Sequence, residues 1–321
     1  TFTEKAKKEM FDAIYEKAQE KFSDADIMKI NIHTFHSFAY NYLLDAGLIS
    51  GDIVGNNLMR FSILNSFEKN QALNYGKDYI INTIVPKTEN SIRYIKSFGI
   101  TPDKIDIKKA TSTLEEIFDA KSSRYSLEEL KSFLKYFIDA YKEYEKSKQE
   151  AIDYSDMLLM FKEKFKGDKF QHVLVDEMQD MNEIEADIAT MVAKNLFLVG
   201  DAKQAIFGFQ GGSVKNFQKF MKTCDKKMLS TNRRSSQQIL DYSKQHFLKG
   251  TSSREDYEKE LSVFKGLKTG EIPKVFSTSA HLSKILEVIG ENPEKSIGII
   301  TRTNTQIIKI SKFLDSNSIE Y

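Results

Sequence analysis

Val173-Leu174-Val175-Asp176-Glu177-Met178-Gln179-Asp180 is the stretch on which the reading of this chain turns. Three apolar residues, two of them β-branched, end abruptly in carboxylates and an amide, as at the C-terminal end of a buried strand that opens into a charged turn. Like charges clustered at such an end repel one another unless a cation or a substrate offsets them. Asp176 then suits holding Mg²⁺, usually through water, and Glu177 suits activating a water that attacks a terminal phosphate. Taken alone, Asp176-Glu177 reads more readily as a solvated turn after a core strand, since charged turns are common.

Some twenty residues on, the pattern recurs with different chemistry in Leu198-Val199-Gly200-Asp201-Ala202-Lys203-Gln204-Ala205-Ile206-Phe207-Gly208-Phe209-Gln210-Gly211-Gly212. Here a strand ends at Gly-Asp, and a glutamine precedes closely spaced aromatics and glycines. The amide of Gln204 can sense a phosphate, and Phe207 and Phe209 can offer ring faces to unstacked bases. The same two phenylalanines also read as core residues beside a glycine turn.

Working outward, apolar segments at Phe170–Val175, 195–199, 227–230, 273–276 and 297–301 each precede a helical pattern. That alternation predicts βα units with parallel sheets. Upstream, residues 3–22 carry Ala6, Met10, Ala13, Ile14 and Ala18 at helical spacing, and 27–32 reads as a short strand. Thr34 is placed to cap a helix running through Phe38 and Leu43. Residues 45 to 150 are patterned as helix almost throughout, with Ser126-Leu127-Glu128-Glu129 a capping box opening a helix to about Lys148. The simplest organisation is an α/β domain interrupted by a helical insertion and followed by the beginning of a second α/β domain.

Together the two strand-end segments resemble helicase motifs II and III of the UvrD/Rep family, in superfamily 1. Other pieces agree in order. Thr1-Phe2-Thr3-Glu4-Lys5-Ala6 resembles motif Ia, and Thr34-Phe35-His36-Ser37-Phe38 the next DNA-contacting motif. Tyr154-Ser155-Asp156-Met157-Leu158-Leu159 resembles the segment before motif II, and Asn232-Arg233-Arg234-Ser235 the Asn-Tyr-Arg-Ser motif that opens the second motor domain. The resemblance implies an α/β fold: a RecA-like P-loop NTPase motor domain over 1–44 and 151–225, with an all-helical insertion over 45–150. Part of a second RecA-like domain would follow over 226–321. It implies an ATP-dependent DNA helicase or translocase, 3′→5′ by family analogy, with ATP and Mg²⁺ as cofactors. Asp176 would hold the metal and Glu177 act as catalytic base, while Gln204 and Arg234 would reach the γ-phosphate. Phe2, Thr34, His36, Phe207 and Phe209 would line the path of single-stranded DNA or of DNA with a single-stranded tail. For the phenylalanines a core role stays open, and His36 reads equally as a helix-terminus histidine bonded to backbone.

This sequence departs from the family pattern at three positions. Met178 stands where an aromatic is usual, Gln210 where an arginine is common, and Arg233 where a tyrosine is usual. No Gly-x-x-x-x-Gly-Lys-[Ser/Thr] loop occurs in the 321 residues. Family order puts that loop before Thr1 and motifs V and VI after Tyr321, so the chain reads as a fragment not expected to hydrolyse ATP alone. The alternative is a degenerate, non-enzymatic DNA- or partner-binding component of a repair or phage-defence complex. A nuclease or repair subunit is a partner on either reading.

Composition bounds these readings. Hydrophobic residues make up 40% and charged residues 29%, which suits globular units with buried cores. The net charge of +1 predicts a local nucleic-acid groove with aromatic help, not a diffuse basic surface. Cys224 is the single cysteine and there are five scattered histidines, which argues against a disulfide framework and a Cys/His metal site and fits a reducing cytoplasm. No apolar run nears the roughly 20 residues of a membrane span, and the start has no signal-peptide pattern.

Overall fold

A computed structural model describes residues 4–50, 52–69, 75–120, 126–205, 214–251 and 254–321. The chain divides into two compact units, Thr1–Lys226 and Lys227–Tyr321, each a mixture of helices with a small parallel sheet.

The first unit opens with α1 (Glu4–Ala18), a single turn α2 (Asp24–Ile27) and α3 (Phe35–Asp45). A helical block follows: α4 (Asn56–Lys69), α5 (Lys77–Tyr79) continuing through a π-helical turn into α6 (Val85–Lys96), α7 (Ile107–Ala120) and α8 (Leu127–Ser147). It has a core of its own, in which Met59, Ile63 and Phe67 of α4 meet Ile92 of α6 and Tyr136, Ala140, Tyr141 and Tyr144 of α8. Ile53 and Ile152 form an isolated parallel bridge, so the chain enters and leaves this block at one place.

The chain then runs through α9 (Tyr154–Lys164), β1 (Phe170–Val175), α10 (Glu183–Val192), β2 (Ala193–Leu198) and α11 (Val214–Thr223). Strands β1 and β2 pair in parallel with Val175 opposite Leu198, which brings their C-terminal ends side by side. The period-2 alternation sends Val175 into a core with Met178, Met181, Ala186, Ala189 and Phe220, while Leu174 and Phe197 lie exposed on the other face. A second cluster packs Ala39 and Leu43 of α3 against Met157, Leu158 and Phe161 of α9 and Ile184, Ile188 and Val192 of α10.

Capping boxes set four of these helix starts: Thr34 with Ser37 for α3, Ser126 with Glu129 for α8, Asp153 with Asp156 for α9 and Asn182 with Glu185 for α10. Each satisfies backbone N–H groups that the first turn leaves free, so these helix starts are held locally.

The second unit holds β3 (Thr231–Ser236), α12 (Gln237–Gly250), α13 (Arg254–Leu261), β4 (Lys265–Lys268), α14 (His281–Gly290) and α15 (Asn304–Ser316). Strands β3 and β4 run parallel, and their register breaks between Asn232 and Ser236.

Four strand expectations need correction. Residues 27–32 form no strand: Ile27 closes α2, where the Ser23 cap and the Met28 amide bond favour a turn, and the segment beyond lacks a ladder partner among the described residues. The strand expected at 227–230 lies later, at Thr231–Ser236, because ladder partners on β4 exist only for that segment. Segments 273–276 and 297–301 carry the apolar residues of strands but pair with nothing among the described residues, leaving Val275 and Ile300 exposed. A strand is stabilised by its neighbour as much as by its own side chains.

Candidate functional site at the paired strand ends

Beyond Val175 the chain makes a sharp turn. Glu177 adopts left-handed backbone angles (φ 53°, ψ 43°), which are unfavourable for a residue with a Cβ. The turn is secured on both sides: the Glu177 amide donates to Asp176 Oδ1 at 3.0 Å, and the Met178 amide donates to the Val199 carbonyl at 2.9 Å. Local strain of this sort persists where surrounding contacts enforce it, and it concentrates at functional sites.

Gln179 ties the two strand ends together. It is only 2% exposed, and its amide nitrogen donates to Glu177 Oε2 at 2.7 Å while its Oε1 accepts from the Asp201 amide at 3.0 Å. Gly200 makes this approach possible, since a Cβ there would come within 2.5 Å of both Gln179 Oε1 and Met178 Cγ. Asp201 in turn accepts from Lys203 Nζ at 2.9 Å and from Gln204 Nε2 at 3.2 Å. Burial pushes the Asp201 carboxyl up, but its bonds to Lys203 and Gln204 outweigh this and hold it below the ordinary range.

Asp176, Glu177 and Gln204 therefore meet at one place, joined through Gln179 and Asp201. Asp176 is half-buried, and Glu177 and Gln204 are exposed, so all three are open to a ligand. Asp180, one turn further, is buried, and its Oδ1 has no hydrogen-bond partner among the described residues. Burial, with the nearby Glu177 charge, raises its pKa. The carboxylate oxygens of Asp176 and Glu177 are the hard donors that Mg²⁺ takes, so the residues fit that ion chemically.

Among the described residues, one group of three carboxylates comes close enough to share an ion: Glu145, Asp153 and Asp156. Lysine ammonium groups already fill that space. Lys96 Nζ lies 2.7, 2.6 and 2.7 Å from Glu145, Asp153 and Asp156, and Lys148 contacts the same three. This is a buried ionic knot that joins α6, α8 and the start of α9, not a metal centre. Spacing alone did not reveal it, because Lys96 and Asp153 are 57 residues apart.

Thr34 caps α3, accepting from the Ser37 amide at 3.0 Å. His36 sits in the first turn of that helix, half-buried, with its ring edge-on to Tyr154 at 5.6 Å, and burial lowers its pKa. In the second unit Asn232 Oδ1 accepts from the amides of Arg234 and Ser235, at 2.9 and 2.7 Å, which shapes the irregular part of β3. Arg233 and Arg234 are both exposed there. Phe2, Phe207 and Phe209, with Gln210, lie outside the described residues. No described helix is long and apolar enough to cross a membrane.

Such an arrangement defines an α/β protein whose polar site is gathered at the carboxyl ends of adjacent parallel strands. The family model described as the UvrD/REP helicase N-terminal domain matches residues 1–225, and the chain belongs to that family. Among curated relatives, it is 26% identical over 345 aligned positions to a "Probable DNA helicase II homolog" of Mycoplasma pneumoniae, covering 98% of this chain and 45% of that protein. It is 26% identical to the "ATP-dependent DNA helicase PcrA" of Leuconostoc citreum, over 75% of this chain and 31% of the relative. To an ATP-dependent helicase/nuclease subunit of Clostridium perfringens it is 30% identical, over 46% of this chain and 13% of the relative. The chain thus spans less than half the length of these relatives.

Proposed function

We propose that this chain is the central part of an ATP-driven DNA helicase or translocase that moves 3′→5′ along single-stranded DNA. On this reading residues 1–44 and 151–225 belong to a first RecA-like motor domain, 45–150 to its helical insertion, and 226–321 to the beginning of a second. The observation that carries the reading is the bridge from Glu177 through Gln179 to Asp201 and Gln204, which couples the two strand ends where hydrolysis would be sensed.

Bound Mg²⁺–ATP would supply the phosphoryl group and the charge neutralisation its transfer requires. Asp176 would hold the ion. Glu177, fixed by its left-handed backbone and by the Gln179 amide, would accept the proton of the attacking water. Gln204 would exchange its bond to Asp201 for one to the γ-phosphate, and Arg234 would neutralise charge developing there. Thr34 and His36, with Phe2, Phe207 and Phe209, would line the strand path. The 321 residues hold no phosphate-binding glycine loop, so this chain by itself would not turn over ATP. The name of the Clostridium relative supports a nuclease partner as one setting for such a motor.

A non-enzymatic DNA- or partner-binding role is the second reading. It is disfavoured by the presence of Asp176, Glu177, Gln204 and Arg234 together, since a site that no longer binds nucleotide has no use for this set. Glu177→Gln in the longer protein separates the two. It keeps the shape and removes the proton acceptor, so turnover should vanish while nucleotide still binds. Near-normal DNA-dependent turnover in that variant would remove Glu177 from the role of base.

A further inference from the structure

Between α3, α6, α9 and the turn before α10 lies a cavity of about 260 Å³. His36, Asn90, Arg93, Ser155, Asp180 and Glu185 are among the residues that line it. Two features of its wall and one residue beside it constrain what it can hold. Asp180 is more than nine-tenths buried, and its Oδ1 has no hydrogen-bond partner among the described residues, so an occupant that donates a hydrogen bond would satisfy it. Arg93 is held by the buried carboxylate of Glu89, which also accepts from Arg60 Nε at 3.1 Å, so a guanidinium is fixed at the wall. Beside them, Tyr154 is exposed and meets the His36 ring edge-on at 5.6 Å, next to Ser155 of the lining.

An anion is a poor occupant, because the Asp180 and Glu185 carboxyls both face the space. A metal ion is a poor one too, with the Arg93 guanidinium among the lining groups. The size is below the roughly 300–1,000 Å³ of pockets for drug-sized ligands, which suits one small planar group. A neutral ring that donates on one edge, accepts on another and presents a π-face meets all these conditions.

We propose that the cavity receives one unstacked nucleobase of the bound DNA strand, a base with an exocyclic amine. The amine donates to Asp180 Oδ1, Arg93 donates to a ring nitrogen or carbonyl, and the exposed Tyr154 ring offers a stacking face at the side. This rests on the DNA-translocating reading above and adds to it a base-reading position between α6 of the helical block and helices α3 and α9.

The test is equilibrium binding of the chain to labelled single strands of about ten nucleotides, close to one site size. One abasic position is moved through the strand. One position should stand out, where loss of the base weakens binding at least about fivefold, the low end expected for one stacked base. At that position cytosine or adenine should be preferred over thymine. Tyr154→Ala and Arg93→Ala should each flatten the profile, and Asp180→Asn should reduce the amine preference, because the new amide can donate to the thymine carbonyl. Tyr154 is exposed, so its variant keeps the test open if the others fail to fold, as thermal melting would report. A flat abasic profile with retained binding, or a profile unchanged in Tyr154→Ala, overturns the base pocket and leaves the DNA reading standing. No binding to any strand overturns the DNA reading and the pocket with it.

Discussion

Lys96→Met tests how the helical block is joined to α9, which leads into β1. Lys96 is only 3% exposed in its side chain and holds three carboxylates at 2.6–2.7 Å, two of them at the N-terminus of α9. Burial alone would lower its pKa, but Asp153 and Asp156 raise it well above the ordinary lysine value. Methionine keeps the length and the packing but leaves Glu145, Asp153 and Asp156 with Lys148 as the remaining ammonium of the knot. Breaking a buried pair by removing one partner costs about 3–5 kcal/mol, mostly through the charge left behind. In a unit of this size that is a fall in Tm of roughly 6–20 °C. Neutralising the stranded charge as well, in Lys96→Met/Asp153→Asn, should recover at least about 1 kcal/mol in a double-mutant cycle.

The acid limb gives an independent check. Burial raises the Asp153 carboxyl, but Lys96 and Lys148 outweigh it and hold the group at about 2. A depressed folded-state pKa contributes stability that is present above the unfolded value near 3.9 and is lost as pH falls through about 2. The gap is worth roughly 2–3 kcal/mol at neutral pH. Without Lys96 the Asp153 pKa rises, so the acid loss should begin at higher pH. Urea unfolding followed by circular dichroism between pH 2 and 7 measures both effects. A loss under about 1 kcal/mol at pH 7, with an unmoved acid limb, would show that the knot does not hold these helices.

Gly200→Ala should destabilise the first unit by about 1–3 kcal/mol, since its Cβ would meet Gln179 Oε1 and Met178 Cγ at 2.5 Å; a chemical melt within about 0.5 kcal/mol of the parent would count against the close approach. On the proposed motor reading, Arg234→Ala in a protein that also carries the phosphate loop should lower kcat by about 10³-fold or more with modest change in ATP affinity. Arg233→Ala should act mainly on stability or DNA affinity, and comparable kcat losses at both would mean that the register is off by one.

Local chemistry was legible in the sequence. The strand Phe170–Val175, the cap at Thr34, the capping box at Ser126 and the acidic turn after Val175 depend on neighbours within a few residues, so their patterns survive without the fold. Motif order likewise identified the family, because spacing of chemistry along the chain is a property of sequence. What the tertiary structure decided was which distant groups meet. Residues 273–276 read as a strand but find no ladder among the described residues, while Thr231–Ser236, a polar run of hydroxyl, amide and guanidinium side chains, becomes one because β4 lies beside it. Gln179 reads as one more polar turn residue until Gly200 brings the second strand end within reach of its amide. Lys96 with Asp153, and His36 with Tyr154, carry no sequence signal of their pairing, since burial and desolvation that make such contacts matter exist only once the chain has folded.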